Sequence, residues 1–162
     1  MPEQLGAIHS SLTIEAAARV VDAALAAARE AKLLPLAIVA LDAGGNLVCF
    51  KREDGSGVLR FDIALGKAWA ALGMGMSSRQ IRDRLAQRPT FLGALAVAAD
   101  GRFIATPGGV LILDAAGVAI GAVGVSGDAS DKDEYCAIKA VRAAGFATDP
   151  AAPDPDWRLA GL

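Results

Sequence analysis

In "SSLTIEAAARVVDAALAAAREAKLLP", apolar residues recur at Ile14, Ala17 or Ala18, Val21 and Leu25. That spacing marks one face of an amphipathic α-helix. Ser11 or Thr13 can cap its start, and Glu15 can return a hydrogen bond to the first turn. Pro35 stops it. The pattern then changes. The apolar run Leu36 to Leu41, the turn "DAGGN" and a second run from Leu47 to Lys51 predict a β-hairpin, with Gly44 and Gly45 supplying positive φ and Asp42 bonding the turn backbone. A helix follows in "DIALGKAWAALGMG", ended by Gly73 and Gly75. Another runs from a serine cap through "SSRQIRDRLAQR" and stops before Pro89, its arginines and aspartates marking a solvated face. The segment Phe91 to Val97 fits either a short helix or irregular structure. A second hairpin pairs Val110–Leu113 with Val118–Val125 across "DAAG". A last helix in "ASDKDEYCAIKAVRAAGF" is capped by Ser130 or Asp131 and closed by Gly145.

Helix, hairpin, two helices, hairpin, helix is an order that forces antiparallel pairing, so the expected class is α+β, with helices covering the sheet. A doubly wound parallel sheet is disfavoured, because strands do not alternate regularly with helices. A length of 162 residues suits one domain with its own core. The expected body covers residues 1–147. The remainder, 148–162, rich in Asp-Pro, reads as an extended tail in which Trp157 and Leu159 can dock on the body or on a neighbouring subunit.

Composition narrows the function classes. Hydrophobic residues make up 54% and charged residues 21%, and the formal net charge is −2. Without a basic stripe, nucleic acid is not an expected partner. No run reaches the roughly 18 apolar residues of a membrane helix. The first ten residues lack a secretion pattern, and two lone cysteines, Cys49 and Cys136, read as reduced thiols, so a cytoplasmic location is expected. The single histidine, His9, rules out a metal site needing two or three histidines within one chain.

The glycine-rich stretch "TPGGVLILDAAGVAIGAVGVSGDASDKDE" fits none of the familiar glycine motifs. It has no Gly-Lys-Ser/Thr ending, and Gly121, Gly124 and Gly127 are spaced by three, which is not a dinucleotide fingerprint. Ser126 sits in G-x-S-x-D with no histidine nearby, so it is not a nucleophile elbow. Glycine inside a strand marks a bend or a close backbone approach. The candidate pocket wall is therefore "TPGG" (Thr106, Gly108, Gly109) with Ser126 as a hydrogen-bonding group. Lys67 falls on an apolar helix face with Ile63, Ala70 and Met74. It either snorkels to solvent or enters a pocket and pairs with a carboxylate. Arg60 can anchor a ligand carboxylate or form a surface pair with Asp62. Asp131, Asp133 and Glu134 begin the last helix, where acidic residues offset the dipole. Asp133 or Glu134 is also the candidate general base. A cofactor-free enzyme acting on a small organic acid (a hydratase, tautomerase, decarboxylase or deaminase) would use Lys67, Asp133 and Glu134 catalytically.

The pieces "IVALDAGGNLVCFKREDG", "DIALGKAWAA", "PGGVLI" and "GVAIGAVGVSGDASDKDE" stand in an order that resembles the GlcG/HbpS family of small haem-binding proteins, a domain also found at the C-terminus of PduO-type adenosyltransferases. With the first and last helices the resemblance covers roughly Leu12 to Phe146, so the 1–147 body is expected to be that domain. It implies a profilin-like antiparallel sheet flanked by helices and a homo-oligomer, a dimer or a multiple of dimers. It also implies a small-molecule ligand, haem or a related tetrapyrrole, bound near Arg60, Thr106, Gly108, Gly109 and Ser126, with haem degradation or redox sensing in some members. Some members hold the iron through a histidine in the first helix region. Here Thr13 to Lys32 contains none, leaving His9, Met74, Met76, Cys49, Tyr135 and Thr106 as the groups that could reach an iron.

Overall fold

The computed structural model describes residues 5–162. The order is α1 (Ile14–Glu30), β1 (Ala37–Asp42), β2 (Leu47–Arg52), α2 (Arg60–Met74), α3 (Ser78–Leu85), α4 (Pro89–Ala98), β3 (Gly109–Leu113), β4 (Ala119–Ser126), α5 (Ser130–Ala143) and β5 (Ala147–Asp149), with a 3-10 turn at Trp157–Leu159. The strands form one antiparallel sheet in the order β2-β1-β4-β3-β5. The α+β class is as the hairpin pattern predicts.

Alternation along the strands sorts side chains to the two faces. Ile38 and Ala40 of β1, Val110 and Ile112 of β3, and Val123 and Val125 of β4 pack with α1 and α5. Val39, Leu41, Leu111 and Ala122 face α2 through Ala64, Ala68 and Ala71. The α2 face is built from small residues on both sides, so helix and sheet approach closely. A Cβ added to Gly124 would collide with the Ala64 carbonyl and stand 3.1 Å from Ala68 Cβ. One added to Gly109 would collide with the Lys67 carbonyl and stand 2.8 Å from Ser78 Oγ. The strand glycines therefore admit a helix backbone rather than a phosphate.

Local details depart from the pattern in places. Thr13 caps α1, its hydroxyl accepting from Ala16 N. Gly75, at φ 65°, closes α2. Neither Ser130 nor Asp131 caps α5. Ala129 holds that position, while Asp133 Oδ1 reaches back to accept from Asp128 N at 3.0 Å. The segment around Phe91 is helical, and none of its residues is buried. The tail is not uniformly extended. Residues 147–149 add a strand beside β3, Asp149 accepts from Ser77 N and Gln80 Nε2, and Trp157 is buried against the α1/α5 layer.

Candidate functional site

Three strand ends meet at one edge of the sheet: the start of β1, the end of β4 and the start of β3, with Ala37 opposite Ser126 and Gly109 opposite Gly124. The first turn of α2 lies over this corner. Lys67, about two turns further along α2, is only 1% exposed. It does not snorkel. Its Nζ donates to Val125 O and to Asp133 Oδ2, both at 3.0 Å. Gly108, at φ 122°, leaves room for it, because a Cβ there would stand 2.9 Å from Nζ. Asp133 is also 1% exposed and accepts from Asp128 N as well. Lys67 thus ties α2, the end of β4 and the start of α5 together. Burial pushes the Asp133 carboxyl up to about 6 against the pull of Lys67, and burial holds Lys67 below the ordinary lysine range despite Asp133.

Arg60 opens α2 beside this pair. Its Nη1 donates to Ser126 Oγ at 3.3 Å. Ser126 is fully buried, so its hydroxyl orients Arg60 from behind rather than meeting a ligand. Of the two alternatives for Arg60, the surface pair with Asp62 does not form, and among the described residues Arg60 has no salt bridge. Thr106 is half-buried in the turn before β3, and the carbonyl of Gly108 accepts from Val125 N.

Glu134 belongs to a different surrounding. It is fully buried, and its neighbour is Arg79 of α3, whose Nε lies 3.2 Å from Oε1 without hydrogen-bond geometry. Neither carboxylate oxygen has a hydrogen-bond partner among the described residues. Burial, offset in part by Arg79, pushes Glu134 up to about 7. Sequence reasoning missed Arg79, which looked like part of a solvated helix face. It also missed Ser78, whose hydroxyl accepts from Gly109 N at 2.8 Å and fixes the start of β3. A second serine after a cap serine was the only signal.

The raised Glu134 sets a pH dependence. The folded protein holds this proton more tightly than the unfolded chain, so stability falls as pH rises from about 4.5 to 7. Glu134→Gln is expected to flatten that limb in urea unfolding followed across this range, by about 1–3 kcal/mol between its ends. An unchanged slope in E134Q would remove Glu134 as its source.

Residues 12–142 match the family model described as haem degrading protein HbpS-like. The chain belongs to the HbpS-like family. An uncharacterised 15.0 kDa protein from the dhaT-dhaS intergenic region of Citrobacter freundii is 32% identical over 133 residues, 82% of this chain and 91% of the relative. Among solved structures, Klebsiella pneumoniae ORFY is similar with a TM-score of 0.74 and 26% identity, covering 89% of this chain and 97% of that one. A double mutant of Streptomyces reticuli HbpS gives 0.69 and 27%, covering 88% and 91%. The PduOC–haem complex gives 0.76 at 24% identity, covering 85% and 98%, and shares the fold.

This HbpS-like chain carries half of what haem asks for. Arg60 suits a propionate. For the iron, α1 holds no histidine, and His9 is exposed on the arm ahead of it. Met74 and Met76 pack against Ala70, Ile81 and Leu85, and Tyr135 stacks on Trp157. The corner around Arg60 offers a guanidinium and supplies no imidazole to an iron.

Proposed function

We propose that this HbpS-like protein binds a carboxylate-bearing small molecule at the Arg60 corner, a tetrapyrrole propionate being the family's form of that group. The observation that supports it is Arg60 itself, a half-buried cation free of any salt bridge among the described residues and oriented by a sealed serine hydroxyl. Holding a guanidinium in place before binding lowers the entropy lost when a carboxylate docks on its fork. The buried Lys67–Asp133 pair is the rigid floor of this corner. Its part is positional, since both side chains are shut away from any ligand. Iron is not used in this reading, so no haem degradation step is assigned to these residues.

Titration with hemin, iron-free protoporphyrin IX and small organic acids tests this. Saturable binding is expected, weaker by about tenfold or more in Arg60→Ala. Hemin and protoporphyrin IX should bind with similar affinity. Equal binding by R60A and the wild type would overturn the site. Hemin binding far more tightly than the iron-free ring would show that iron ligation, rather than the propionate, carries affinity. Saturable binding of a small acid with neither tetrapyrrole bound would turn the reading towards the organic-acid enzyme.

A further inference from the structure

On the opposite face of the sheet, the C-terminal end of α1, the start of α5 and the tail line a half-open cavity of about 330 Å³, with Lys32 and Arg158 exposed to solvent. This is the low end of the size range of small-molecule sites. Its tail residues, Trp157 and Arg158, lie beyond the 12–142 family match. One wall is the Tyr135–Trp157 stack, with ring centroids 3.7 Å apart, and Arg158 covers the indole at 4.7 Å. The charged part of the lining is Glu30, Lys32, Asp128, Lys132 and Arg158, with Ala31 and Leu33 between.

The charges in this cavity do not cancel. Glu30 is taken by Lys139 at 2.5 Å. Asp128 is engaged by Leu34 N and Ala129 N and lies 3.5 Å from Lys132. Lys32 and Arg158 are left, and neither has a salt bridge among the described residues.

The backbone at Lys32 fixes where its side chain starts. Leu33 N donates to Ala28 O and Lys32 N to Arg29 O, the paired bonds that close a helix with a left-handed residue. That residue is Lys32, at φ 57°, in the place glycine normally fills. A side chain there carries a strain that glycine would relieve. The same closure recurs at Asp100 after α4; at Lys32 it puts a cation on the cavity wall.

We infer that this tail-built cavity binds a small organic dianion, a dicarboxylate or an organic phosphate, between Lys32 and Arg158. Calorimetric titration of the full chain with succinate and with phenyl phosphate tests it and separates the two sources of charge. In an R60A background, where the Arg60 corner no longer takes the probe, one probe or the other should bind saturably, one per chain, and that binding should weaken about tenfold or more when Lys32→Gly or Arg158→Ala is added. K32G should also melt at a higher temperature than the wild type, so its loss of binding cannot be a loss of fold. Saturable binding of neither probe overturns the site, as does undiminished binding when K32G is added to R60A. Loss of binding in R60A would move the dianion to the corner on the other face and likewise overturn it.

Discussion

Gly124→Ala is expected to lower stability by about 3 kcal/mol or more, and the melting temperature by roughly 10 °C. Two effects oppose each other. Alanine in place of glycine removes freedom from the unfolded chain, worth about 0.4–1 kcal/mol in favour of folding wherever the added methyl fits. Here it does not fit. The methyl would enter the Ala64 carbonyl and crowd Ala68 Cβ. Neither α2 nor β4 can retreat easily, because Lys67 bonds α2 to Val125 O just beyond the glycine. The steric cost therefore wins. Gly73→Ala provides the control. Gly73 is exposed near the end of α2 with open space around its Cα, so alanine there should stabilise by about 0.5–1 kcal/mol. Urea unfolding of both variants measures the contrast. If G124A were as stable as the wild type, the close approach of α2 to the sheet would be wrong.

The same contact explains which parts of the molecule could be read from the sequence. Both hairpins were legible, because apolar runs flank turns of Asp and Gly, and that chemistry acts over a few residues. Gly121 and Gly124 were legible as a bend or a close approach and Gly109 as a turn or a pocket rim, but what approaches Gly124 and Gly109 is α2, some 40 residues or more away in the chain. Lys67 was conspicuous as a lysine on an apolar face. Its partner was not identifiable, because Asp133 sits among acidic residues that a helix start explains equally well. Asp133 and Glu134, adjacent in sequence, face Lys67 and Arg79 respectively. That separation comes from the roughly 100° turn per residue of α5 and the elements packed around it. The strand at 147–149 was invisible, since three residues next to a proline carry no period. The Lys32–Arg158 cavity was equally hidden. It needs the tail folded back on α1, and a left-handed lysine has no signature in the chain.

Breaking the Lys67–Asp133 pair is the second large effect, and its pH dependence distinguishes a buried ion pair from simple loss of packing. Lys67→Met should cost about 3–5 kcal/mol at neutral pH, because Asp133 is left as a lone buried carboxylate. Asp133→Asn should cost a comparable amount by leaving Lys67 alone. The double variant K67M/D133N strands no charge. It should recover a substantial part of the summed losses, with the amide that replaces the carboxylate still able to accept from Asp128 N. The two single variants should respond to pH in opposite directions. In K67M the counter-charge is gone, so the Asp133 proton, already held up to about 6 by burial, is held more tightly still. Folded K67M then binds more protons than its unfolded chain from about pH 4 upward, so the variant loses stability as pH rises and recovers in acid. In D133N the amine of Lys67, already depressed by burial, is depressed further. The unfolded chain then binds more protons, so stability rises as pH increases toward the ordinary lysine range. Unfolding free energies of the four proteins between about pH 4 and 9 measure both slopes. Parallel pH profiles for K67M and D133N would mean that neither lone group is shifted in its variant, and that the contact between α2, β4 and α5 at this point is open to water rather than closed.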